Sequence, residues 1–284
     1  MTLSAADLNI GIRYVLLGLF FKMVLADNLA VSNDAIHAET NAWMIWTNNL
    51  LFTFRIYFDF AGYGLTAYGI ARCLGITLRM NFLSPYTAPN ITEFWRRWHT
   101  SLTGWFRDYI YFPLGGSRTK RWALNILIVF AVSGLWHGAG WNFVLWGMFS
   151  GVAMVIHRIF RKRGYQLPSF IGWLMTFGMM VFVWMFFYIT DWGILLRNLN
   201  VLCSADCYGV QEYLHGMTTG DLTAPLHICA LLFSAVVIFL EYLSGRIKKD
   251  PYAIFLSAPF AAAMVFFIVT CESSKESMFI YFAF

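Results

Sequence analysis

Two histidines stand out in this chain by their surroundings. His137 lies in SGLWHGAGWNFVLWG (133–147), between a leucine-tryptophan pair and a glycine, inside an otherwise apolar stretch. His99 lies in TEFWRRWHTSLTGWFRDYIYFPLGG (92–116), among arginines and tryptophans. An ionisable group at bilayer depth is costly and is by default a functional candidate. Neutral imidazole tolerates burial best, and burial keeps it deprotonated, ready to take a proton from a hydroxyl within hydrogen-bond reach. A packing histidine that donates to a carbonyl fits the same residues, so spacing alone leaves both readings of His137 open. Gly134 and Gly138, four apart, admit close approach of another helix or of a substrate chain.

Other chemistries find less support. Among His37, His99, His137, His157, His215 and His227 no pair has HxxxH spacing, and none joins a carboxylate in a ligand pattern, so no metal site is expected. Phosphate-loop and dinucleotide fingerprints do not occur. Ser101, two residues from His99, and Ser133, four before His137, keep a serine nucleophile open, although a serine bonding back to its own helix is the commoner role.

These residues need elements to hold them. At helical spacing Trp95, Trp98, Leu102, Trp105, Phe106 and Tyr109 share a broad face, and Arg96, Arg97, Thr100 and Arg107 fill much of the rest. That pattern predicts an interfacial amphipathic helix, starting near Thr92-Glu93 and ended by Pro113 and Gly115-Gly116. It serves either as an anchor on the membrane surface or as a basic platform that meets an anionic donor and carries His99.

The wider chain sets the environment. Of its 284 residues 59% are hydrophobic and 12% charged, about half the charge of a soluble domain. With a mean hydropathy of +0.61, the expected fold class is an all-α integral membrane protein, because lipid forbids unsatisfied backbone. Twelve tryptophans and 28 phenylalanines suit interfacial belts and a wide packed bundle. About seven spans are expected, at 9–26, 42–60, 122–137, 139–158, 169–190, 226–243 and 253–271, in a single membrane domain. Region 61–121, with Gly62, Gly64, Gly69, Pro85, Pro89 and Pro113, reads as short amphipathic or re-entrant helices on the cytoplasmic side. Charged residues expected within spans are Arg13, Lys22, Arg55 and Asp59, the last two able to pair at i,i+4. Cys203 and Cys207 share one polar loop and admit a disulfide if it faces an oxidising compartment. No cleavable signal peptide is expected, since the first seven residues lack a basic stretch and no small-residue cleavage site follows.

Charge distribution orients the bundle. Fifteen of the twenty basic residues fall in 61–121, 158–163 and 246–249, whereas loops 27–41, 191–225 and 272–284 are acidic. By the positive-inside rule the N-terminus and basic segments lie in the cytoplasm and the acidic loops and C-terminus outside. The net charge of +5 therefore follows topology and implies no nucleic-acid partner. Span 122–158 becomes a hairpin with His137 near its outer bend.

The two histidine motifs, with GLFFKMVLADNLA (18–30), RIYFDFAGYG (55–64), NFLSPYTAPNITEFW (81–95) and the terminal FIYFAF (279–284), resemble the membrane-bound O-acyltransferase family. The likeness is to its bacterial branch, of alginate O-acetyltransferase and D-alanyl transferase type. It implies a helical bundle pierced by a tunnel, with His137 as catalytic histidine and His99 as the second motif histidine. It also implies acyl transfer, acetyl foremost, from a cytoplasmic thioester to hydroxyls of an extracellular or periplasmic polysaccharide. The donor would be acetyl-CoA or an acyl-carrier phosphopantetheine, as co-substrate rather than bound cofactor. Arg96, Arg97, Trp98, Arg107, Asp108, Trp136 and Asn142 would line donor or substrate entry. The implied setting is the bacterial inner membrane, with a periplasmic acetyltransferase as partner. D-alanyl or other acyl transfer, and a non-catalytic membrane subunit, are the alternatives. Where the branch usually shows Ser-Asp after YFDFAGY, this chain has Gly64-Leu65, and the family's membrane helices before the equivalent of residue 10 are expected to be missing.

Overall fold

The computed structural model describes residues 4–34, 40–219 and 223–271; the FIYFAF motif and the C-terminal side expected outside the membrane lie beyond these. The described residues are helical, with no strand among them. In chain order the first helices are α1 (Ala5–Leu19), which runs through a π-helical stretch (Phe20–Ala26) into α2 (Asp27–Asp34), and α3 (Ala42–Cys73). Then come α4 (Ile91–Arg97), α5 (Thr100–Phe106), a π turn (Arg107–Tyr111), α6 (Trp122–His137), α7 (Trp141–Lys162) and α8 (Ser169–Tyr188). The last are α9 (Trp192–Cys203), α10 (Val210–Thr219), α11 (Thr223–Lys248) and α12 (Ala258–Thr270).

Among the described residues four helical segments are long and apolar enough to cross a membrane: Ala5–Val31, Trp141–Lys162, Ser169–Tyr188 and His227–Lys248. Helices α6 and α12 are apolar but shorter. Two expectations need correction. Helix α3 does not stop near residue 60 but continues to Cys73, taking Gly62, Gly64 and Gly69 into one 32-residue helix. The amphipathic stretch after Thr92 is not one helix; it starts at Ile91 under an Asn90 cap and breaks at Trp98-His99. Cys203 and Cys207 are free thiols.

The chain forms two compact units, one holding residues up to Ser84 and again from Tyr208, the other Pro85–Cys207. In the first, α1 lies along α3 through paired glycines. A Cβ on Gly18 would stand 2.6 Å from the Gly62 carbonyl oxygen, and one on Gly62 would stand 2.8 Å from that of Gly18. Small residues here let two backbones meet, which strengthens dispersion where no hydrophobic effect separates helix from lipid. Inside this unit Lys22 bridges Asp59 at 2.7 Å and Asp27 at 2.8 Å. Arg13 donates to the Leu256 carbonyl.

A further charged residue, Glu241 on α11, went unread among the apolar residues around it and is fully buried. Its carboxylate accepts from the Tyr57 hydroxyl at 2.8 and 2.9 Å and from the Ser84 hydroxyl at 2.7 Å. Tyr252 joins the cluster, its hydroxyl 3.4 Å from that of Tyr57, and donates to the Phe82 carbonyl at 3.0 Å. The Glu241 carboxylate thus ties α11 to α3 and to the Ser84 segment, and Tyr252 is attached through Tyr57 and the Phe82 carbonyl. Glu241→Leu leaves the Tyr57 and Ser84 hydroxyls without their carboxylate, at about 1–3 kcal/mol each. The melting temperature in detergent is expected to fall clearly, and Glu241→Gln, which keeps an acceptor, to fall less. Equal melting of the wild type and the leucine variant would refute the latch.

Candidate active site

The Pro85–Cys207 unit holds both histidines. Helices α6 and α7 form a hairpin whose contact depends on Gly134 and Gly147. A Cβ at either would run into backbone, at the Phe143 carbonyl for Gly134 and at the Phe130 carbonyl for Gly147. On α7, Asn142, Phe143, Trp146, Gly147, Ser150 and Gly151 are buried, a helical repeat of one face. This face meets α6 on one side and α8 on the other. Asn142, fully inside, donates its amide to the Phe186 carbonyl at 3.1 Å and so clamps α7 to α8.

His137 is the last residue of α6, just before the Gly138–Gly140 bend. Three aromatic rings stand edge-on to the imidazole: Trp136 at 5.0 Å, Trp146 at 5.1 Å and Phe187 at 5.1 Å between centroids. Trp146 in turn packs on Trp95 at 5.7 Å and stacks on Trp184 at 5.8 Å, and Trp184 reaches Trp98 at 5.0 Å. Trp184 is fixed by donating its indole N–H to the Tyr86 hydroxyl at 3.1 Å, while Trp173 donates to the Tyr86 carbonyl at 2.8 Å. The histidine is half-buried against a rigid aromatic wall. The indole N–H groups of Trp95 and Trp146 are buried there without an acceptor among the described residues.

His99 reaches the same neighbourhood through the break in the amphipathic stretch. Trp98 is extended and His99 left-handed, at φ 42° and ψ 61°, before α5 resumes. The left-handed region is uncommon outside glycine, though histidine visits it more than most residues. The conformation makes His99 the N-cap of α5: its Nδ1 accepts from the Leu102 backbone N–H at 3.2 Å. With Nδ1 accepting, the neutral ring carries its proton on Nε2, so that nitrogen donates. Ser101 Oγ stands 3.3 Å from the same Nδ1, which already accepts from the Leu102 N–H. His99 lies near enough to His137 to act on it electrostatically. Burial pushes the His99 imidazole down from 6.5 to about 4, against a backbone hydrogen bond that raises it.

The other expected site residues divide. Trp98 is buried in the aromatic wall, stacked on Phe94 at 5.6 Å, and Trp136 flanks His137 with its own ring half exposed. Arg96 binds Glu93 at 2.7 Å, and Arg97 donates to Thr87 Oγ1 at 3.2 Å. Arg107 and Asp108 pair with each other at 2.8 Å on the exposed π turn. Sequence reasoning missed Trp146, Trp184 and Phe187. The i,i+4 repeat of α7 carried the signal for Trp146, but nothing local links α8 to His137.

A helical membrane protein with two neighbouring histidines, one ending an apolar helix inside an aromatic wall, is the class these features define. The chain belongs to the membrane-bound O-acyltransferase family, whose sequence profile matches residues 6–195. It is 40% identical over 194 residues to a peptidoglycan O-acetyltransferase of Helicobacter pylori, covering 65% of this chain and 37% of that protein. It is 34% identical over 219 residues to a probable alginate O-acetylase AlgI of Pseudomonas putida, covering 75% and 45%. It is 32% identical over 178 residues to a teichoic acid D-alanyltransferase of Bacillus subtilis, covering 56% and 44%. The chain spans less than half the length of these relatives.

The cap role separates two variants of His99. His99→Ala loses the cap, about 1 kcal/mol, and is strained at positive φ; His99→Asn keeps both the cap and the left-handed turn. Thermal melting is expected to rank wild type and Asn above Ala. Since the folded imidazole refuses a proton that the unfolded chain accepts, its contribution to stability falls as pH drops from 6.5 towards 4. His99→Asn should flatten that slope; an unchanged slope would count against the buried neutral ring.

Proposed function

We propose that the protein is an O-acyltransferase that moves an acyl group, acetyl foremost, from a cytoplasmic thioester to a hydroxyl of an extracellular or periplasmic polysaccharide. The observation that carries this reading is His137 at the end of α6, half-buried and walled by Trp136, Trp146 and Phe187, with His99 close by. The names of the relatives support it, because both O-acetylating relatives align over more of this chain than the D-alanylating one.

In this reaction His137 takes the proton from the acceptor hydroxyl as its oxygen attacks the thioester carbonyl. The tetrahedral intermediate collapses with cleavage of the carbon–sulfur bond, and the proton passes from His137 to the departing thiolate. Products are the ester and a free thiol. His99, with its proton on Nε2, is suited to donate a hydrogen bond to negative charge developing on the carbonyl oxygen. The aromatic wall excludes water that would otherwise hydrolyse the thioester. The donor is acetyl-CoA or an acyl-carrier phosphopantetheine. The setting is the bacterial inner membrane, with the basic segments and N-terminus cytoplasmic, the acidic loops and C-terminus outside, and a periplasmic acetyltransferase as partner.

His137→Ala is expected to reduce acyl transfer by about 10²–10⁴-fold, the usual worth of a positioned base, while the protein stays in the membrane. The measurement is ester-linked acetate and D-alanine on cell-envelope polymers of a complemented deletion strain. Wild-type acetate with the alanine variant would sink the proposal, and loss of D-alanine with acetate unchanged would move it to the other acyl group.

A further inference from the structure

A cavity of about 440 Å³ lies in the Pro85–Cys207 unit, lined by α4, the first turns of α6 and the last turns of α7. Its size falls within the range of small-molecule sites. Three guanidinium groups line it, those of Arg96, Arg158 and Arg161, with His157 beside them. One acid faces them, Glu93, and it is bound to Arg96 at 2.7 Å and Arg97 at 3.8 Å. The cavity is therefore net positive.

Its walls are built rather than incidental. Arg158 donates to the Tyr111 hydroxyl at 2.9 Å and lies 4.5 Å over the Trp122 ring, so its fork is held in place. The His157 Nδ1 and Thr92 hydroxyl are 2.9 Å apart, which fixes the imidazole. Arg161 makes no ion pair among the described residues. Ile126 and Met154 supply an apolar side. Several planar donors around one space, with an apolar wall beside them, match a phosphate ester carrying a chain better than a carboxylate, which one guanidinium already satisfies.

We propose that this cavity binds a phosphate ester, with Arg158 and Arg161 as principal ligands and Ile126 and Met154 against the stem of the ligand. Two sources carry that chemistry at a membrane: the phosphates of a thioester donor, and the head group of an anionic phospholipid. The donor source rests on the acyl-transfer reading. It is favoured by length, because Ile126 and His137 lie on one helix about 16 Å apart at 1.5 Å per residue. An extended phosphopantetheine arm spans such a distance, so a phosphate held at one end of α6 sets a thioester at the other.

The test uses the full chain in nanodiscs of neutral phosphatidylcholine, titrated with coenzyme A by calorimetry. A second arm replaces part of the lipid with phosphatidylglycerol and counts retained anionic lipid by native mass spectrometry. Arg161→Gln removes a side chain with no ion pair to lose, and is expected to weaken binding about tenfold, as for one charge-assisted hydrogen bond. Arg158→Gln with Arg161→Gln is expected to abolish it. Binding of either probe that these variants weaken upholds the site and identifies its source. Binding of neither probe, or binding that both variants leave unchanged, overturns it. His137→Ala, inactive in transfer, should bind coenzyme A like the wild type, so failure of the phosphate site and failure of the transfer reading give different results.

Discussion

Where Gly134 and Gly147 face the other helix, α6 and α7 meet backbone to backbone, and the Phe143 and Phe130 carbonyls occupy the space a side chain would need. Everything around His137 depends on that approach. It sets the imidazole against Trp146, and Trp146 passes the contact on to Trp95 and Trp184. In lipid, helices gain nothing by hiding apolar surface from one another, so close fit and dispersion must do what the hydrophobic effect does in water. A larger residue at either glycine would separate the helices and open the wall that surrounds the histidine.

The same medium makes each buried polar group consequential. Glu241 ties the first unit by accepting from Tyr57 and Ser84, with Tyr252 bonded to Tyr57, and Lys22 pairs with Asp59 and Asp27 near the α1–α3 crossing. An unpaired group there would carry its full desolvation cost. These clusters are accordingly structural fasteners, whereas His137 of the second unit stands edge-on to the rings of Trp136, Trp146 and Phe187.

His99 illustrates how local strain can set chemistry. Its left-handed backbone breaks a stretch that would otherwise run as one helix, and turns the ring into a cap. The cap fixes the tautomer, and the tautomer makes Nε2 a donor. A continuous helix would have left both ring nitrogens to whatever solvent or lipid they met, and would have carried His99 along an interfacial face.

Local composition and spacing were enough to read a helical membrane protein, the segments around α1, α7, α8 and α11, and His137 and His99 as the residues to watch, because apolar runs and paired motifs are properties of the chain itself. They were not enough to find the break at Trp98-His99, since helical periodicity continues through it and Trp98 packs on Tyr86 and Trp184, which lie outside the stretch. Glu241 was lost in an apolar run because one acid changes little in a window average; only the folded chain brings Tyr57 and Ser84 to it. Arg158 and Arg161 read in the sequence as markers of membrane orientation. That they line a cavity with Arg96 and His157 was decided by the tertiary structure, since α4 and α7 are more than forty residues apart and no local pattern records which helices meet.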